Sequence, residues 1–379
     1  MRDNQNAATT SISYWTFNYM PKWEAVSMEV KELSTAFAKS AGTRVIALNL
    51  WGRSIKLRGR EKQIPLPYAL PAIFLVRRIA AQAQINHVFA SPGERILTPR
   101  LARLDNTILT IAKDSPRLDV LEKNVNVLRD LRYIVVESPR HKDLLLQLGI
   151  KKDRLKLIYP GVELSPYRPP DSRFRILFAT SPLAKYDLLA RGVHLMVRVA
   201  ELLPEVEFRL IWRRNPAELR KLLTANKASN ISVLSGYVED MGAEYDASHA
   251  TILPALTEHS LKPAPHSALL SLAHGKPVLV SRPTSLSSVV EMAKCGVVFE
   301  PSVDGLCEAI RELRANYHVY QERAQPAATE CFSRAQFLAR YATLYNSLLA
   351  KRVAVTVRKG VAASAMSHTS VYAGKNVRG

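Results

Sequence analysis

Short runs of four to six residues rich in Ile, Val, Leu and Phe recur along the chain, each flanked by polar or turn residues. They fall at Ile12–Trp15, Val45–Leu48, His87–Ser91, Ile108–Ile111, Tyr133–Glu137 and Lys156–Tyr159. The series continues at Arg175–Ala179, Glu207–Trp212, Ile231–Leu234, Ala250–Pro254, Pro277–Ser281 and Gly296–Phe299. Runs of this length between turn signals predict strands. Between most of them the apolar positions take helical spacing, as in Met28–Ala41, Val193–Leu203 and Ala217–Ala225. Short apolar strands alternating with helices predict a parallel sheet covered on both faces.

A dozen strands overfill one doubly wound sheet. The Pro-rich stretch Leu164–Pro170 (LSPYRPP) interrupts the series and precedes a fresh strand. The pattern therefore predicts two Rossmann-like, doubly wound α/β domains, residues 1–168 and 169–350. The last long helical stretch is Arg334–Ala350. Residues 351–379 carry only basic charges among Ala, Val, Ser and Gly, which predicts a poorly ordered basic tail.

Composition adds two constraints. With 379 residues, 47% of them hydrophobic and 23% charged, the chain buries a sizeable core and is not a disordered or small stapled protein. Its 53 Lys and Arg against 33 Asp and Glu give a net charge of +20, which points to polyanions, an anionic membrane surface or phosphorylated ligands. The three cysteines, Cys295, Cys307 and Cys331, form no CxxC pair, which argues against a disulfide framework or a structural zinc site and favours a reducing compartment. Residues 1–15 lack the apolar segment of a signal peptide, and no apolar run reaches the ~18 residues of a spanning helix. A cytoplasmic protein is expected, with peripheral attachment to the inner face of a membrane left open.

The common nucleotide signatures are missing: there is no GxxxxGK[ST], no GxGxxG, no HExxH and no Asp-x-Asp. The strongest chemical pattern lies in Tyr245–Ser281. A strand ending at Pro254 leads to Glu258, then to a Lys-Pro loop holding Lys262, then to a helix starting near Pro265, His266 and Ser267, and finally to a second strand. Ser267 is placed to cap that helix, whose free N–H groups suit an anion. Open α/β sheets bind ligands at the carboxyl ends of their strands, where this loop would lie.

These residues resemble the group-1 (family 4) retaining, nucleotide-sugar-dependent glycosyltransferases of the GT-B fold. Pro254-Ala255-Leu256-Thr257-Glu258 resembles the start of the family's Pro-Ser-x-x-Glu-Gly-Phe-Gly signature, and Leu272–Ser281 its Ala-x-Gly-x-Pro-Val ending. Lys156–Glu163, Glu137-Ser138 with His141–Gly149, Ala190–Leu195, Ser235–Val238 and the trio Glu291, Gly296 and Pro301 resemble further family segments. The likeness is good over roughly residues 130–348 and holds only in outline before them. Three departures stand out. Leu270 takes the place of the second Glu of the E-x7-E motif, Pro21–Ser27 replaces a glycine-rich loop, and Lys113 stands where the "T.HD" segment carries His.

The resemblance implies sugar transfer from a nucleotide sugar (UDP-, GDP- or similar) to a glycan or lipid-linked acceptor with retention, in polysaccharide or glycolipid biosynthesis, within an interdomain cleft. It makes Glu258, Arg191 and Lys262 the catalytic candidates, with Lys185, Arg213, Gly236, His266, Ser267 and Glu291 on the donor side and Lys113 and Asp114 on the acceptor side. No metal or other cofactor is expected, so Arg or Lys must meet the charge that develops on the leaving diphosphate. A non-catalytic binding protein of the same fold, motivated by Leu270, is the alternative.

The stretch Gly52–Lys62 (GRSIKLRGREK) precedes the apolar Ile64–Val76. Arg53, Lys56, Arg58, Arg60 and the later Arg77 are the candidates for contact with anionic lipid. Nucleic acid is not an expected partner, because no zinc finger, helix-turn-helix or aromatic-studded basic sheet is visible.

Overall fold

The structure, a computed structural model, describes residues 10–21, 24–49, 54–69, 75–112, 117–170, 173–180, 185–213, 216–226 and 228–350. The first sheet contains β1 (Ser11–Phe17), β2 (Gly42–Asn49), β3 (Lys56–Arg58), β4 (Glu61–Pro65), β5 (Ile85–Phe89), β6 (Thr107–Ile111), β7 (Tyr133–Val136) and β8 (Leu155–Leu157). Their spatial order is β3-β4-β2-β1-β5-β6-β7-β8, and every pair is parallel except β3–β4. The second sheet contains β9 (Arg175–Phe178), β10 (Glu207–Trp212), β11 (Ile231–Ser235), β12 (Ala250–Leu253), β13 (Val278–Ser281) and β14 (Gly296–Phe299). It is wholly parallel in the order β11-β10-β9-β12-β13-β14. The strand order reverses between β9 and β12, which opens a crevice at their carboxyl ends.

All twelve predicted strands are present. The central residues of the inner strands are buried on both faces, as in Ile176–Phe178 and Leu279–Val280, which is why continuous apolar runs marked them. Two strands were missed. β3 and β4 form an edge hairpin, turned at Gly59 with φ 53, in the stretch read as a basic run and the start of the apolar segment after it. All of β3 is exposed, so no apolar pattern marks it, and its charges suit an unpaired edge. Tyr19 ties the hairpin down by donating to Glu61 Oε1 at 3.0 Å.

The first helix runs Ala25–Ala36 with a 3-10 turn at Phe37–Lys39, earlier than the predicted Met28–Ala41. Glu24 sets its start by accepting the Ser27 N–H at 2.8 Å.

The chain passes between the sheets around Ile158–Glu163 and returns at Phe332–Arg334. The two passages are bonded side by side: Val162 N–H donates to Phe332 O at 2.8 Å and Arg334 N–H to Val162 O at 2.9 Å. Gly161 is required here, because a Cβ would come within 2.7 Å of Phe337 Cβ. The Pro-rich segment Leu164–Pro170 is pinned to the second domain. Ser165 N–H donates to Ala273 O, and the buried Lys276 donates through Nζ to Arg168 O at 2.6 Å.

The helix over 334–350 was assigned by its sequence position to the second domain. Its apolar face instead packs on the first sheet: Phe337, Tyr341, Leu344, Tyr345 and Leu348 join Tyr14, Val45 and Phe89 in one core. At its centre His87 Nδ1 lies 2.7 Å from Tyr345 Oη and Nε2 2.7 Å from Thr110 Oγ1. Burial holds that imidazole neutral, with its pKa pushed down to about 3. Residues 351–379, read as a basic tail, lie outside the described residues.

Candidate active site

The carboxyl end of β12 is where the second domain gathers its chemistry. Gly192, at φ 70, lets the backbone after helix Lys185–Ala190 lie against Pro254: a Cβ on it would fall 1.8 Å from Pro254 O. Leu256 N–H then donates to Ala190 O at 2.8 Å. The Arg191–Gly192 turn is thereby fixed to the loop that leads to Glu258.

Glu258 opens a 3-10 turn, Glu258–Ser260, and is only 8% exposed. Its carboxylate is held from both domains. Ser285 Oγ of the second domain donates to Oε1 at 2.6 Å. From the first domain His141 Nε2 lies 2.8 Å from Oε1, and Arg140 Nη1 lies 3.1 Å from Oε2. Arg140 and His141 sit in the first turn of helix Pro139–Gln147. Burial pushes this carboxyl up, but the His141 and Ser285 hydrogen bonds and the charges of His141 and Arg140 outweigh burial, leaving it below the usual carboxylate range. Two hydroxyls near the two sheets' carboxyl ends, Ser138 beside Arg140 and Thr180 after β9, are buried without a hydrogen-bond partner among the described residues.

Lys262 lies in a different setting from the one its sequence position suggested. Its Nζ bonds Glu29 on helix Ala25–Ala36 and lies 2.9 Å from Glu137, just after β7. Two carboxyls already engage it, and its side chain is 9% exposed. This ammonium is therefore poorly placed to meet a diphosphate, and we assign it no catalytic role. His266 belongs to the same cluster: Nδ1 is 4.0 Å from Glu29 Oε1. Burial, with Lys262 and Arg213 nearby, lowers its pKa to about 3, so the ring is neutral.

The remaining donor-side candidates spread around this crevice. Arg213 follows β10, and Gly236, at φ 100, follows β11 with its N–H donating to Trp212 O at 2.9 Å. The helix His266–Ala273 starts where predicted, but Ser267 does not cap it. Pro265 takes the N-cap position without a side-chain bond, and Ser267 is buried in the first turn. Glu291 is half exposed and pairs with Arg282 at 2.8 Å, which also holds Glu300. Leu270 packs between the core under helix His266–Ala273 and the Leu177–Ile211–Tyr245 cluster, so an apolar residue suits its surroundings. Lys185 opens its helix and nothing is described of its side chain, while Lys113, Asp114 and Arg53 lie outside the described residues. Lys56, Arg58 and Arg60 are exposed on and beside the edge hairpin, and Arg77 donates to Arg100 O at 3.2 Å.

Arg140, Ser285, Glu29 and Glu137 were missed as site residues by sequence reasoning. His141 and Glu137 fell within a stretch that carried the family resemblance, but nothing in its local pattern shows what faces it across the cleft.

Residues 175–316 match the family described as group 1 glycosyl transferases. No curated protein sequence matches the chain. Among solved structures, sucrose-phosphate synthase from Thermosynechococcus elongatus is 15% identical with a TM-score of 0.73, over 90% of this chain and all (100%) of that one. HepE of Anabaena, in complex with UDP, is 14% identical with a TM-score of 0.70, over 89% and 100%. WaaG, a glycosyltransferase involved in lipopolysaccharide biosynthesis, is 15% identical with a TM-score of 0.62, over 84% and 95%. At such identities these likenesses establish a shared fold. The two sheets have the GT-B architecture, and the resemblance to group 1 glycosyltransferases drawn from the motifs is borne out by the match over residues 175–316.

Proposed function

From a chain whose second domain matches the group 1 glycosyl transferases, we propose an enzyme that transfers a sugar from a nucleotide sugar to a glycan or lipid-linked acceptor, with retention of configuration. The observation that carries this reading is the Glu258 carboxylate, ionised and buried at the carboxyl end of β12 where the two domains meet. A carboxylate there orients the donor's hydroxyls or faces the positive charge that grows at the anomeric carbon as its bond to the diphosphate breaks. The negative charge left on the diphosphate is assigned to Arg191, fixed beside the same loop, with Arg213 and Lys185 behind it. HepE structures with UDP and with UDP-glucose make UDP sugars the first donors to try.

A lipid-linked acceptor would be met at an interface, and the edge hairpin suits one. Lys56, Arg58 and Arg60 stand beside Ile55 and Leu57, which are 54% and 67% exposed.

The test is release of nucleoside diphosphate from UDP-, GDP-, ADP- and TDP-sugars, with NMR of the product's anomeric centre. Turnover of one donor, lost in Glu258→Gln, supports the reading. Nucleotide binding without turnover under any acceptor would favour a binding protein of this fold, the outcome that Leu270 at the motif's second Glu position makes worth distinguishing.

A further inference from the structure

Glu29 and Glu137 are buried carboxyls that the proposed chemistry does not use. They come from different elements of the first domain and converge on one second-domain ammonium, Lys262. The three side chains are 2%, 1% and 9% exposed. One ammonium cannot balance two carboxylates at that depth, so the closed cluster keeps a proton on the carboxyl pair. Burial raises both carboxyls against the opposing charge of Lys262. For Lys262, burial acts to lower the pKa, but the charges of Glu137 and Glu29 raise it overall, so it stays cationic.

Other titratable and charged groups also face the cluster. His266 is held neutral, Arg213 acts on it from beyond, and Tyr341 of the helix over 334–350 is pushed well above its usual value by burial. Glu24, whose charge also bears on Glu29, caps the helix by accepting the Ser27 N–H.

We propose that Lys262 is a positioning residue: a side chain that the second domain inserts into a two-carboxylate socket of the first, seating the 258–266 loop so that Glu258 meets Arg140 and His141. The role in donor binding rests on the reading of Glu258 above; the seating itself does not. Lys262 is four residues beyond Glu258 on the same short loop, so withdrawing one displaces the other. The seated form holds a proton that the unseated form, with its carboxyls in water, releases. Seating is therefore favoured at acid pH and weakens as pH rises through the raised carboxyl pKa.

Spin labels on Lys123→Cys and Glu308→Cys, exposed positions on the two domains, with Cys331→Ser, report the interdomain distance in the full chain. The wild type is expected to show a seated distance that gives way to a second one as pH rises. Lys262→Met keeps the stem without the charge and should lose the seated distance at neutral pH. Glu137→Gln removes the surplus charge but keeps the Lys262–Glu29 pair, and should hold the seated distance across the pH range. An unchanged distribution in Lys262→Met, or a wild-type pH response in Glu137→Gln, overturns the proposal, and the second variant decides alone if the first does not fold. UDP release from UDP-glucose is read separately. Distances that behave as stated, with no turnover of any nucleotide sugar, would count against the enzyme and not against the seating.

Discussion

Glu258 is bound by Ser285 from its own domain and by Arg140 and His141 from the other, so substitutions around it separate catalysis from assembly. Glu258→Gln keeps the size and one acceptor oxygen but removes the charge. It is expected to lower turnover by about 100-fold, in the range found when one preorganised electrostatic group is lost, with nucleotide affinity changed far less. The same group carries a pH signature. Because its pKa in the folded protein is depressed, it contributes stability above the ordinary carboxyl value of about 4.3, and that contribution is lost as pH falls through the folded value. Thermal melts of wild type and Glu258→Gln should therefore differ at neutral pH and converge in acid. Curves that stay parallel throughout would show that the contacts do not bias ionisation. Gly192→Ala tests the turn beneath Arg191. A Cβ there would collide with the Pro254 backbone, which cannot yield as a flexible side chain can. A loss of at least about 2 kcal/mol is expected in denaturant unfolding, the scale of overpacking and backbone strain.

At the scale of elements, two features set how the domains are used. The paired passages at Val162 and Phe332–Arg334 form the connection between the domains, and Gly161 fits there only because it lacks a side chain. The edge hairpin β3–β4 is the second. Reversing charge with Lys56→Glu and Arg58→Glu should abolish co-sedimentation with vesicles rich in anionic lipid while leaving the fold intact, since both side chains are exposed. Raised salt should weaken binding of the wild type in the same assay. Binding that is indifferent to both would remove the hairpin from the membrane account. This element also shows where the sequence stops being informative. The inner strands announce themselves because both faces are apolar, as in β12 and β13; β3 is exposed throughout and its partner β4 is only partly buried, so no apolar period marks the hairpin.

At the scale of the whole molecule, the parts legible in advance were those whose cause is local. The second domain's order of strand, loop, helix and strand around Glu258 follows from apolar runs, prolines and one glycine. The residues facing Glu258 and Lys262 do not. Glu137 lies 125 residues before Lys262 in the chain and Glu29 lies 233 before it, and no spacing rule links groups that meet only through the packing of two domains. Lys262 therefore looks like a free cation in the sequence, although two carboxyls hold it in the fold. The helix over 334–350 was misplaced for the same reason: its period shows an apolar face, but not which sheet covers it.

A nucleotide-sugar site between the domains would have Arg191 and Glu258 on its second-domain side. Thermal shift against UDP, GDP, ADP and TDP without added metal, on wild type and Arg191→Ala, tests it most directly. A ligand that binds only the folded state stabilises it by about 2.7 kcal/mol at one hundred times its dissociation constant. A clear shift is expected with one nucleoside diphosphate, largely lost in Arg191→Ala. No shift with any of the four, or a shift that Arg191→Ala leaves whole, would contradict it.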